Sequence, residues 1–377
     1  MYIWSLPEWP EFRWDEAKLA TPLADARYKQ GLLMGQMQRL GFELREEATL
    51  ETLTQDVIKT SEIEGEKLDL DQVKSSLARR LGMDIGGIAP IDRNVEGIVE
   101  VMLDATREFE KPLTKERLFK WHAALFSTGQ SGLSKIRVGA WRDDRKGPME
   151  VVSGPIGKER VHFSAPPAEQ IDAEISRFVL WFEDKTNLDP VLGAGVSHLW
   201  FVTIHPFEDG NGRIARAIAD MALARSENSS QRFYSMSSQI LNERSAYYGK
   251  LEQTQKGTID ITNWLEWFLS CFAHAIDGAQ ETLESIIFKA NFWTAHQGEA
   301  FNERQQNLLN QILDGFEGKL TSSKWARIAK CSQDTAHRDI LDLIGRKILE
   351  KNPGGGRSTS YSLRNIEAQY MVVREEP

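Results

Sequence analysis

Twelve consecutive residues, 205 to 216, bring together the side chains of this chain that are best suited to phosphate chemistry. They read His-Pro-Phe-Glu-Asp-Gly-Asn-Gly-Arg-Ile-Ala-Arg. The stretch offers a histidine that can act as a base, two adjacent carboxylates, an amide and two guanidinium groups. Such a set can bind an anion, hold a divalent cation and accept a proton. We therefore expect this loop to bind a polyphosphate.

The glycines and arginines of the loop predict an anion site at the start of a helix. Gly210 and Gly212 lack a Cβ atom, so the backbone can approach a ligand closely. The backbone N–H groups of residues 210 to 213 would be free donors at the first turn. Arg213 and Arg216 are three residues apart, so both side chains leave the same face of that turn. Two fork-shaped cations beside a row of amides suit a polyphosphate.

The remaining polar residues of the loop predict catalytic roles. Asp209 offers a hard oxygen ligand, which Mg²⁺ prefers when it also bridges phosphates. His205, just before a helix-breaking proline, is the natural general base. A polar turn between two core helices is the competing interpretation, since Asp-Gly and Asn-Gly are common in turns. The combination of base, acid, glycines and paired arginines favours the catalytic interpretation.

The same twelve residues resemble the signature of the Fic family, HPFx(D/E)GNGRxxR, at every defining position. Fic proteins are mostly adenylyltransferases, which move AMP from ATP to a hydroxyl side chain of a target protein and release pyrophosphate. The resemblance implies that His205 deprotonates a Ser, Thr or Tyr hydroxyl and that Asp209 holds Mg²⁺ on the α- and β-phosphates. It implies that Arg216 binds the γ-phosphate. The residues implied to cradle the α- and β-phosphates are Gly210, Asn211, Gly212 and Arg213.

A second element predicts a way to switch the site off. Residues 60 to 65 read Thr-Ser-Glu-Ile-Glu-Gly and close an apolar run with helical spacing, residues 50 to 63. Taken alone, Glu64 would be a solvated surface charge. The segment is similar to the Fic inhibitory motif, (S/T)xxxE(G/N), and the chain resembles the class with an N-terminal inhibitory helix. The resemblance implies that Glu64 pairs with Arg216 and so removes the γ-phosphate site. The defining positions of this motif are Thr60, Glu64 and Gly65.

Turn residues between positions 137 and 167 predict a β-hairpin with short strands at 151–152 and 160–163. A plain surface hairpin is the alternative interpretation. In Fic proteins a hairpin flap lies here over the active site, and target backbone pairs with its exposed edge. We expect the helical core to contain this hairpin alone.

A helix predicted over residues 241 to 255 carries the expected nucleoside contacts. The resemblance implies that Tyr248, Leu251 and Gln255 surround the adenine or the ribose. Stacking there would favour a purine without selecting adenine uniquely. Burial in the core is the alternative interpretation for these residues.

Length predicts several domains, and the helical patterns together with the Fic resemblance imply a mainly α-helical protein. The chain has 377 residues, of which 41% are hydrophobic, enough for two or three domains. We predict an N-terminal helical domain with the inhibitory motif over residues 1 to 85. A Fic helical core with the β-hairpin flap follows over residues 86 to 297. A winged helix-turn-helix domain, or winged-helix domain, occupies residues 298 to 377.

The last region shows a helix-helix-helix-hairpin pattern that resembles a winged helix. Its third helix, predicted over residues 332 to 344, would expose Gln333, Thr335, His337 and Arg338. DNA binding through residues 300 to 377 is one interpretation. Protein contacts or dimerisation is the other, because three aspartates, Asp334, Asp339 and Asp342, dilute the charge. The basic residues of the region are Lys324, Arg327, Lys330, Arg346, Lys347, Lys351 and Arg357.

Charge, cysteines and hydropathy weigh against other classes. The net charge of −9 argues against unspecific coating of nucleic acid by the whole chain. No run approaches the ~20 apolar residues of a membrane span, and the first residues lack the pattern of a signal peptide. Cys271 and Cys331 form no metal or disulfide pattern, so we expect a cytoplasmic protein without a membrane partner.

These observations predict an autoinhibited protein adenylyltransferase that uses ATP and Mg²⁺. Its expected partner is a target protein with a hydroxyl side chain, with self-modification, DNA and a homodimer left open. One alternative is a de-AMPylase, in which Glu64 orients a water at the same site. Transfer of UMP or of a phosphoryl group is another. A nucleotide-sensing DNA-binding regulator is the alternative from a different class.

Overall fold

Helices that begin at their own capping residues make up most of the chain. The structure, a computed structural model, describes residues 1–83, 90–132, 134–145, 147–155, 157–184, 188–313, 318–353 and 359–364. The side chains of Asp15, Asp69 and Thr114 each accept a backbone N–H of the first turn that follows. The mainly α-helical prediction is confirmed. The helices are α1 (Glu16–Arg39), α2 (Phe42–Ile63), α3 (Leu70–Leu81), α4 (Arg93–Arg107), α5 (Lys115–Leu125), α6 (Ile171–Glu183), α7 (Pro190–Ile204), α8 (Asn211–Glu227), α9 (Met236–Asn242), α10 (Arg244–Gln255), α11 (Thr262–Ala295), α12 (Glu303–Leu313), α13 (Ser322–Ile328) and α14 (Gln333–Gly345).

Short antiparallel hairpins complete the part of the chain that is described. The predicted hairpin is present: Glu150 of β3 pairs with Ser164 of β4, and the register shifts between Val151 and Val152. The expectation of a single hairpin in the core was wrong, because residues 130–135 form a second, smaller pair. The strands are β1 (Gln130–Ser131), β2 (Ser134–Lys135), β3 (Glu150–Ser153), β4 (Arg160–Ser164), β5 (Leu349–Lys351) and β6 (Tyr361–Leu363).

The chain divides into two compact units, residues 1–281 and residues 282–377. The first unit contains the regions predicted as the N-terminal helical domain and most of the catalytic core. The division of the whole chain into three domains stays a prediction. None of the described helices is both long enough and apolar enough to cross a membrane.

The core of the first unit is built around α7 and α8. Helix α7 is apolar on nearly all sides, and all its residues from Val191 to Ile204 except Gly193 are buried, as expected for a central helix. Gly195 lies at its closest contact, where a Cβ atom would sit 3.0 Å from Leu265 and from Phe268 of α11. The two helices are joined by the loop 205–210, so these core helices position the signature residues.

A buried polar network joins α2 to α8. Asp56 of α2 accepts hydrogen bonds from the Ser235 hydroxyl at 2.5 Å and from the Ser237 N–H at 3.2 Å. Asp220 of α8 accepts one from Arg232 at 2.7 Å. Burial and the neighbouring Asp56 carboxylate raise the pKa of Asp220 well above its usual value. The network ties the helix that ends at the predicted inhibitory motif to the helix that carries both arginines.

Replacement of Arg232 by methionine is expected to lower the free energy of unfolding by about 3–5 kcal/mol, because it removes the cation of this buried network. Arg232 is 2% exposed, and it faces both Asp220 and Glu227, the latter at 3.8 Å. Urea unfolding followed by circular dichroism measures the loss. Arg145→Met is the control, since that side chain is 84% exposed, and its change should stay within about 0.5 kcal/mol. Equal effects of the two substitutions would contradict the role of the network.

In the described part of the second unit, the end of α11 is followed by three helices and a hairpin, in the predicted order. Helices α12, α13 and α14 pack around Trp325 and Ile340, and β5 pairs with β6. Asp339 is 6% exposed and bound by Arg304 at 3.0 Å, so it is not the exposed charge that the sequence suggested. Arg357 lies outside the described residues, as does most of the glycine-rich turn that the sequence predicts over residues 352–358. The winged-helix assignment stays a prediction.

Candidate active site

The loop between α7 and α8 is closed by the side chain of Asn211. Its Oδ1 accepts the Phe207 N–H at 2.9 Å, and its Nδ2 donates to the Phe207 carbonyl at 2.8 Å. Phe207 is fully buried and stacks on His122, with ring centroids 4.1 Å apart and an interplanar angle of 10°. The Asn211 side chain therefore shapes the loop, and only its backbone N–H faces the ligand side. His122, in the apolar row of α5, supports the loop and was not singled out from the sequence.

The hydrogen bonding of His205 leaves one ring nitrogen able to act as a base. His205 caps α7 in the left-handed region, with φ 51°, and its Nδ1 lies 3.1 Å from the Val202 carbonyl. A carbonyl only accepts hydrogen bonds, so Nδ1 carries the proton and Nε2 keeps its lone pair. Desolvation lowers the pKa of His205 to about 4, which keeps the imidazole neutral near pH 7. His205 lines a cavity of about 560 Å³.

The first turn of α8 presents backbone donors to the same cavity. The first intrahelical bond runs from the Ile214 N–H to the Gly210 carbonyl at 3.0 Å, so the N–H groups of residues 211–213 precede the helical ladder. Gly210 has a φ of 79°, and a Cβ atom there would lie 2.8 Å from the ring of Phe126. Both facts require glycine at this position. Donors at the start of a long helix favour an anion.

Arg216 is held by the segment predicted to be inhibitory. Its Nε donates to the Thr60 hydroxyl at 2.7 Å, and its Nη2 donates to the Thr60 carbonyl at 2.9 Å and to Glu64 at 2.7 Å. Burial acts to lower the pKa of Arg216, but the Glu64 carboxylate together with Tyr247 and Tyr248 outweighs it and raises that pKa. Its Nη1 is buried without a hydrogen-bond partner among the described residues. A ligand oxygen could satisfy that donor.

Glu64 reaches Arg216 because of the way α2 ends. The Gly65 N–H bonds to the Glu62 carbonyl at 3.0 Å and the Glu66 N–H to the Ser61 carbonyl at 3.0 Å. This pair of bonds, with Gly65 at φ 86°, is a Schellman motif. Gly212 completes the fit, since a Cβ atom there would collide with the Glu64 carboxylate. The glycines of the two motifs thus allow the carboxylate to lie against the phosphate-binding turn.

A second carboxylate, that of Glu66, forms an ion pair with Arg213, the other arginine of the signature. Glu66 binds Arg213 at 2.8 Å, and the Arg213 guanidinium lies over the Phe126 ring at 5.0 Å. Glu66 is 45% exposed, whereas the Arg213 side chain is 4% exposed. The sequence analysis missed this pair, although Glu66 lies two residues after Glu64. Both cations of the predicted phosphate site are therefore paired with residues that follow α2.

Asp209 is the carboxylate of the loop that could bind a cation. Its oxygens accept hydrogen bonds from the Ser131 hydroxyl and from the Gly210 N–H, the latter at 2.6 Å. Among the residues that the structure describes, no cluster of three or more His, Cys, Asp or Glu side chains could hold a metal ion by itself. A single carboxylate is nevertheless the donor set that Mg²⁺ uses when phosphates and waters supply the other ligands. The site therefore fits Mg²⁺ bound together with a polyphosphate.

The cavity also collects the residues expected to contact a nucleoside. Tyr248, Leu251 and Gln255 of α10 line it together with β3 and β4. Tyr248 is 39% exposed, whereas Leu251 and Gln255 are nearly buried. The Gln255 side chain donates to the Thr203 hydroxyl at 3.2 Å. The helix predicted over 241–255 is interrupted at Glu243, so these contacts come from its second part, α10.

The lining unites residues that are far apart in the sequence. Of the residues singled out in the sequence, eight line the cavity: Glu64, His205, Asp209, Asn211, Gly212, Tyr248, Leu251 and Gln255. The other three, Gly210, Arg213 and Arg216, shape the loop or bind the two glutamates behind it. The structure thus places a neutral imidazole, a carboxylate and a turn of backbone donors around one chamber.

Two family models match separate parts of the chain. Residues 112–223 match the Fic/DOC family, and residues 2–83 match a domain of unknown function, DUF4172. Protein adenylyltransferase fic-1 of Caenorhabditis briggsae is 28% identical over 173 residues, which are 45% of this chain and 31% of that protein. Protein adenylyltransferase Fic of Nematostella vectensis is 32% identical over 115 residues, 30% and 25% of the two chains. The chain spans less than a third of the length of these relatives.

Solved structures support the fold. A Fic family protein from Desulfovibrio desulfuricans G20 superposes with a TM-score of 0.51 at 21% identity, covering 92% of this chain and 96% of that one. A Fic domain containing signaling protein from Bacteroides thetaiotaomicron VPI-5482 gives a TM-score of 0.53 at 22% identity, covering 69% and 97%. These similarities agree with a helical core that carries small hairpins.

Proposed function

We propose that this chain is a Fic-type protein adenylyltransferase that transfers AMP from Mg-ATP to a Ser, Thr or Tyr hydroxyl, and that Glu64 holds it inactive. One observation carries the proposal. The unprotonated Nε2 of His205 shares a cavity with the amide turn of α8, while Glu64 occupies Arg216. Adenylyltransferases among the relatives, at about 30% identity, support AMP as the group transferred.

The residues of the loop have separate roles in the proposed reaction. Backbone N–H groups of residues 211–213 and the Arg213 guanidinium bind the α- and β-phosphates, and Arg216 binds the γ-phosphate. His205 Nε2 takes the proton of the target hydroxyl as its oxygen attacks the α-phosphorus, and pyrophosphate leaves. Asp209 would hold Mg²⁺, which neutralises phosphate charge when bound. Catalysis then depends on position and charge.

The flap and α10 position the two substrates. Tyr248, Leu251 and Gln255 surround the adenine or ribose, since they line the cavity beside the phosphate turn. Strands β3 and β4 form a two-stranded sheet, so the outer edge of each strand has no neighbouring strand in it. An extended target segment can therefore pair with one of these edges. This pairing would direct the target hydroxyl towards His205.

Glu64 restrains the reaction by competition for Arg216. ATP cannot place its γ-phosphate on a guanidinium that already binds a carboxylate, so its α-phosphate is not aligned for attack. The Glu64 side chain is 29% exposed and the Arg216 side chain 1% exposed, so the pair is shielded on one side and open to the cavity on the other. Removal of AMP by a water that Glu64 orients is the second reaction that the same geometry allows.

The direction of the reaction is tested with ATP labelled at the α-phosphate. Transfer predicts label on lysate proteins after incubation with the Glu64→Gly variant and Mg²⁺. Removal predicts loss of label from proteins that were labelled beforehand and then exposed to the unchanged chain. Neither gain nor loss of label, with a folded protein and a broad set of targets, would contradict both reactions.

The pH dependence of kcat/KM should report the neutral imidazole of His205. The base is active only when unprotonated, so kcat/KM falls as the pH drops through the pKa, which desolvation lowers to about 4. We expect kcat/KM of Glu64→Gly to stay flat from about pH 8 to pH 6, whereas an ordinary histidine would halve it near pH 6.5. Initial rates of α-label transfer measure the profile, with circular dichroism as the control for unfolding. A midpoint near pH 6.5 would contradict this assignment.

We also propose that the second unit binds DNA. Its helix α14 exposes Gln333, His337 and Arg338, and Asp339 is withdrawn from the surface by Arg304. Lys347 and Lys351 are exposed near the hairpin. An exposed helix with amide and cationic side chains next to basic residues suits a major groove. Location in the cytoplasm and a homodimer stay predictions.

A gel shift with the full chain and mixed duplex DNA tests this second proposal. Binding should weaken as salt rises, because phosphate contacts release counterions. Arg338→Ala should weaken it, whereas Arg145→Ala, an exposed arginine of the first unit, serves as the control. Absence of a shift at low salt would remove DNA from the partners.

A further inference from the structure

Three side chains at the flap form a hydrogen-bonded relay that the reaction above does not use. The Ser153 hydroxyl lies 2.6 Å from His162 Nε2, and His162 Nδ1 lies 2.7 Å from Glu252 Oε2. Ser153 ends β3, His162 lies on β4 and Glu252 lies on α10. A hydroxyl, an imidazole and a carboxylate in this order are the arrangement that activates a serine nucleophile.

The charge state of Glu252 sets the direction of these hydrogen bonds. Glu252 also accepts from Lys256 at 2.7 Å and from Arg160 at 3.0 Å. These hydrogen bonds, with the one from His162, hold the pKa of Glu252 at about 2, so it stays a carboxylate. A carboxylate only accepts, so His162 Nδ1 carries the proton and Nε2 accepts the proton of Ser153.

The relay lines the same cavity as the proposed phosphate-binding turn. Ser153, His162 and Glu252 all line the cavity of about 560 Å³ that also contains His205 and Gly212. Ser153 is exposed, and it is followed by Gly154, whose φ of 104° turns the chain at the end of β3. The hydroxyl is therefore accessible, and its oxygen is paired with a base that is independent of His205.

We propose that Ser153 is an AMP acceptor within this chain and that His162 is its base. The inference rests on the proposed AMP transfer and names one substrate of it. The Ser153 oxygen forms a bond to the α-phosphorus of ATP, and the bond from that phosphorus to the bridging oxygen breaks to release pyrophosphate. The hydroxyl proton passes to His162 Nε2. Glu252 is a positioning residue, since it fixes the tautomer of His162 and stabilises the imidazolium.

Peptide mapping of Glu64→Gly after incubation with ATP and Mg²⁺ tests this proposal. The peptide that contains Ser153 should gain the mass of one AMP. Ser153→Ala in that background should lose the mark. Ser164→Ala is the matched control, because Ser164 belongs to the same hairpin but lies outside the cavity lining, and it should keep the mark.

The rates assign the roles within the relay. His162→Gln should slow marking of Ser153 by about 100-fold, the usual effect of losing a general base. Glu252→Gln should lower the maximal rate by about tenfold without raising the ATP concentration for half-maximal rate, since it disturbs a tautomer and not the nucleotide. An unchanged rate in His162→Gln would overturn its role as base.

The outcomes also separate this inference from the function on which it rests. Label on lysate proteins with an unmarked Ser153 peptide overturns the inference and leaves AMP transfer standing. Absence of label from both overturns the two together. A mark on Ser153 that persists when ATP is replaced by a non-hydrolysable α,β-methylene analogue would also overturn it, because that analogue cannot release pyrophosphate.

Discussion

The Glu64→Gly variant is expected to transfer AMP to other proteins about 100-fold faster than the unchanged chain. Glu64 binds Arg216 at 2.7 Å, and its carboxylate lies against Gly212 of the phosphate turn. Its removal opens the γ-phosphate site, so that ATP can align its α-phosphate for attack. A misplacement of about 1 Å in a reacting group can cost about 100-fold in rate, which sets the size of the gain. Initial rates of α-label transfer to lysate proteins measure it.

Glu62→Gly is the matched control for this gain. Glu62 lies on the same last turn of α2 but pairs with Lys59 at 2.9 Å, away from the signature. Its replacement introduces the same glycine and removes the same charge, so a general loosening of the helix would accelerate both variants. Acceleration of Glu62→Gly to the level of Glu64→Gly would contradict specific competition for Arg216.

Glu66 should contribute less than Glu64. It pairs with Arg213 at 2.8 Å but is 45% exposed, and pairs open to solvent are weak. ATP can displace such a carboxylate more easily than one that is held beside a buried guanidinium. We therefore expect both carboxylates to oppose ATP binding, with Glu64 contributing the larger part.

The His205→Ala variant is expected to lose AMP transfer to other proteins by a factor of about 100 to 10,000, measured in the Glu64→Gly background. The imidazole Nε2 is the unprotonated nitrogen in the cavity, and alanine cannot take the hydroxyl proton. ATP should still bind, because the amide turn of α8 and the two arginines are unchanged. The same α-label assay gives the rate, and a thermal shift with ATP checks binding.

His274→Ala in the same background is the control for this loss. The His274 side chain is 53% exposed and pairs with Glu243 at 3.0 Å, outside the cavity lining. It should transfer AMP at the rate of its parent. Transfer by His205→Ala at more than about a tenth of the parental rate would contradict its role as the base.

Local patterns predicted the parts of the site that depend on neighbouring residues. The signature loop, the hairpin strands and the end of α2 were predicted because their chemistry is contained in a few consecutive positions. The contact between Glu64 and Arg216 came from a resemblance between two short motifs, and the structure contains it. The spacing of residues alone would not have paired two segments about 150 positions apart.

Contacts between distant segments explain what the sequence did not predict. Glu243, with φ −104° and ψ 24°, interrupts the helix expected over 241–255, and its carboxylate accepts hydrogen bonds from the distant Trp267 as well as from Gln239. The stacking of Phe207 on His122 and the pair of Glu66 with Arg213 likewise join separate elements. No period or turn signal marks such residues, so they become visible only once the helices are packed.

The central claim is that Glu64 keeps a complete AMP-transfer site inactive. It is tested most directly by parallel incubations of the unchanged chain and Glu64→Gly with lysate proteins, using ATP labelled at either the α- or the γ-phosphate. We predict that α-label accumulates on lysate proteins about 100-fold faster with Glu64→Gly, and that neither protein raises γ-label above that of lysate incubated alone. Equal α-labelling by the two proteins, or γ-label above the lysate-alone level, would contradict the account.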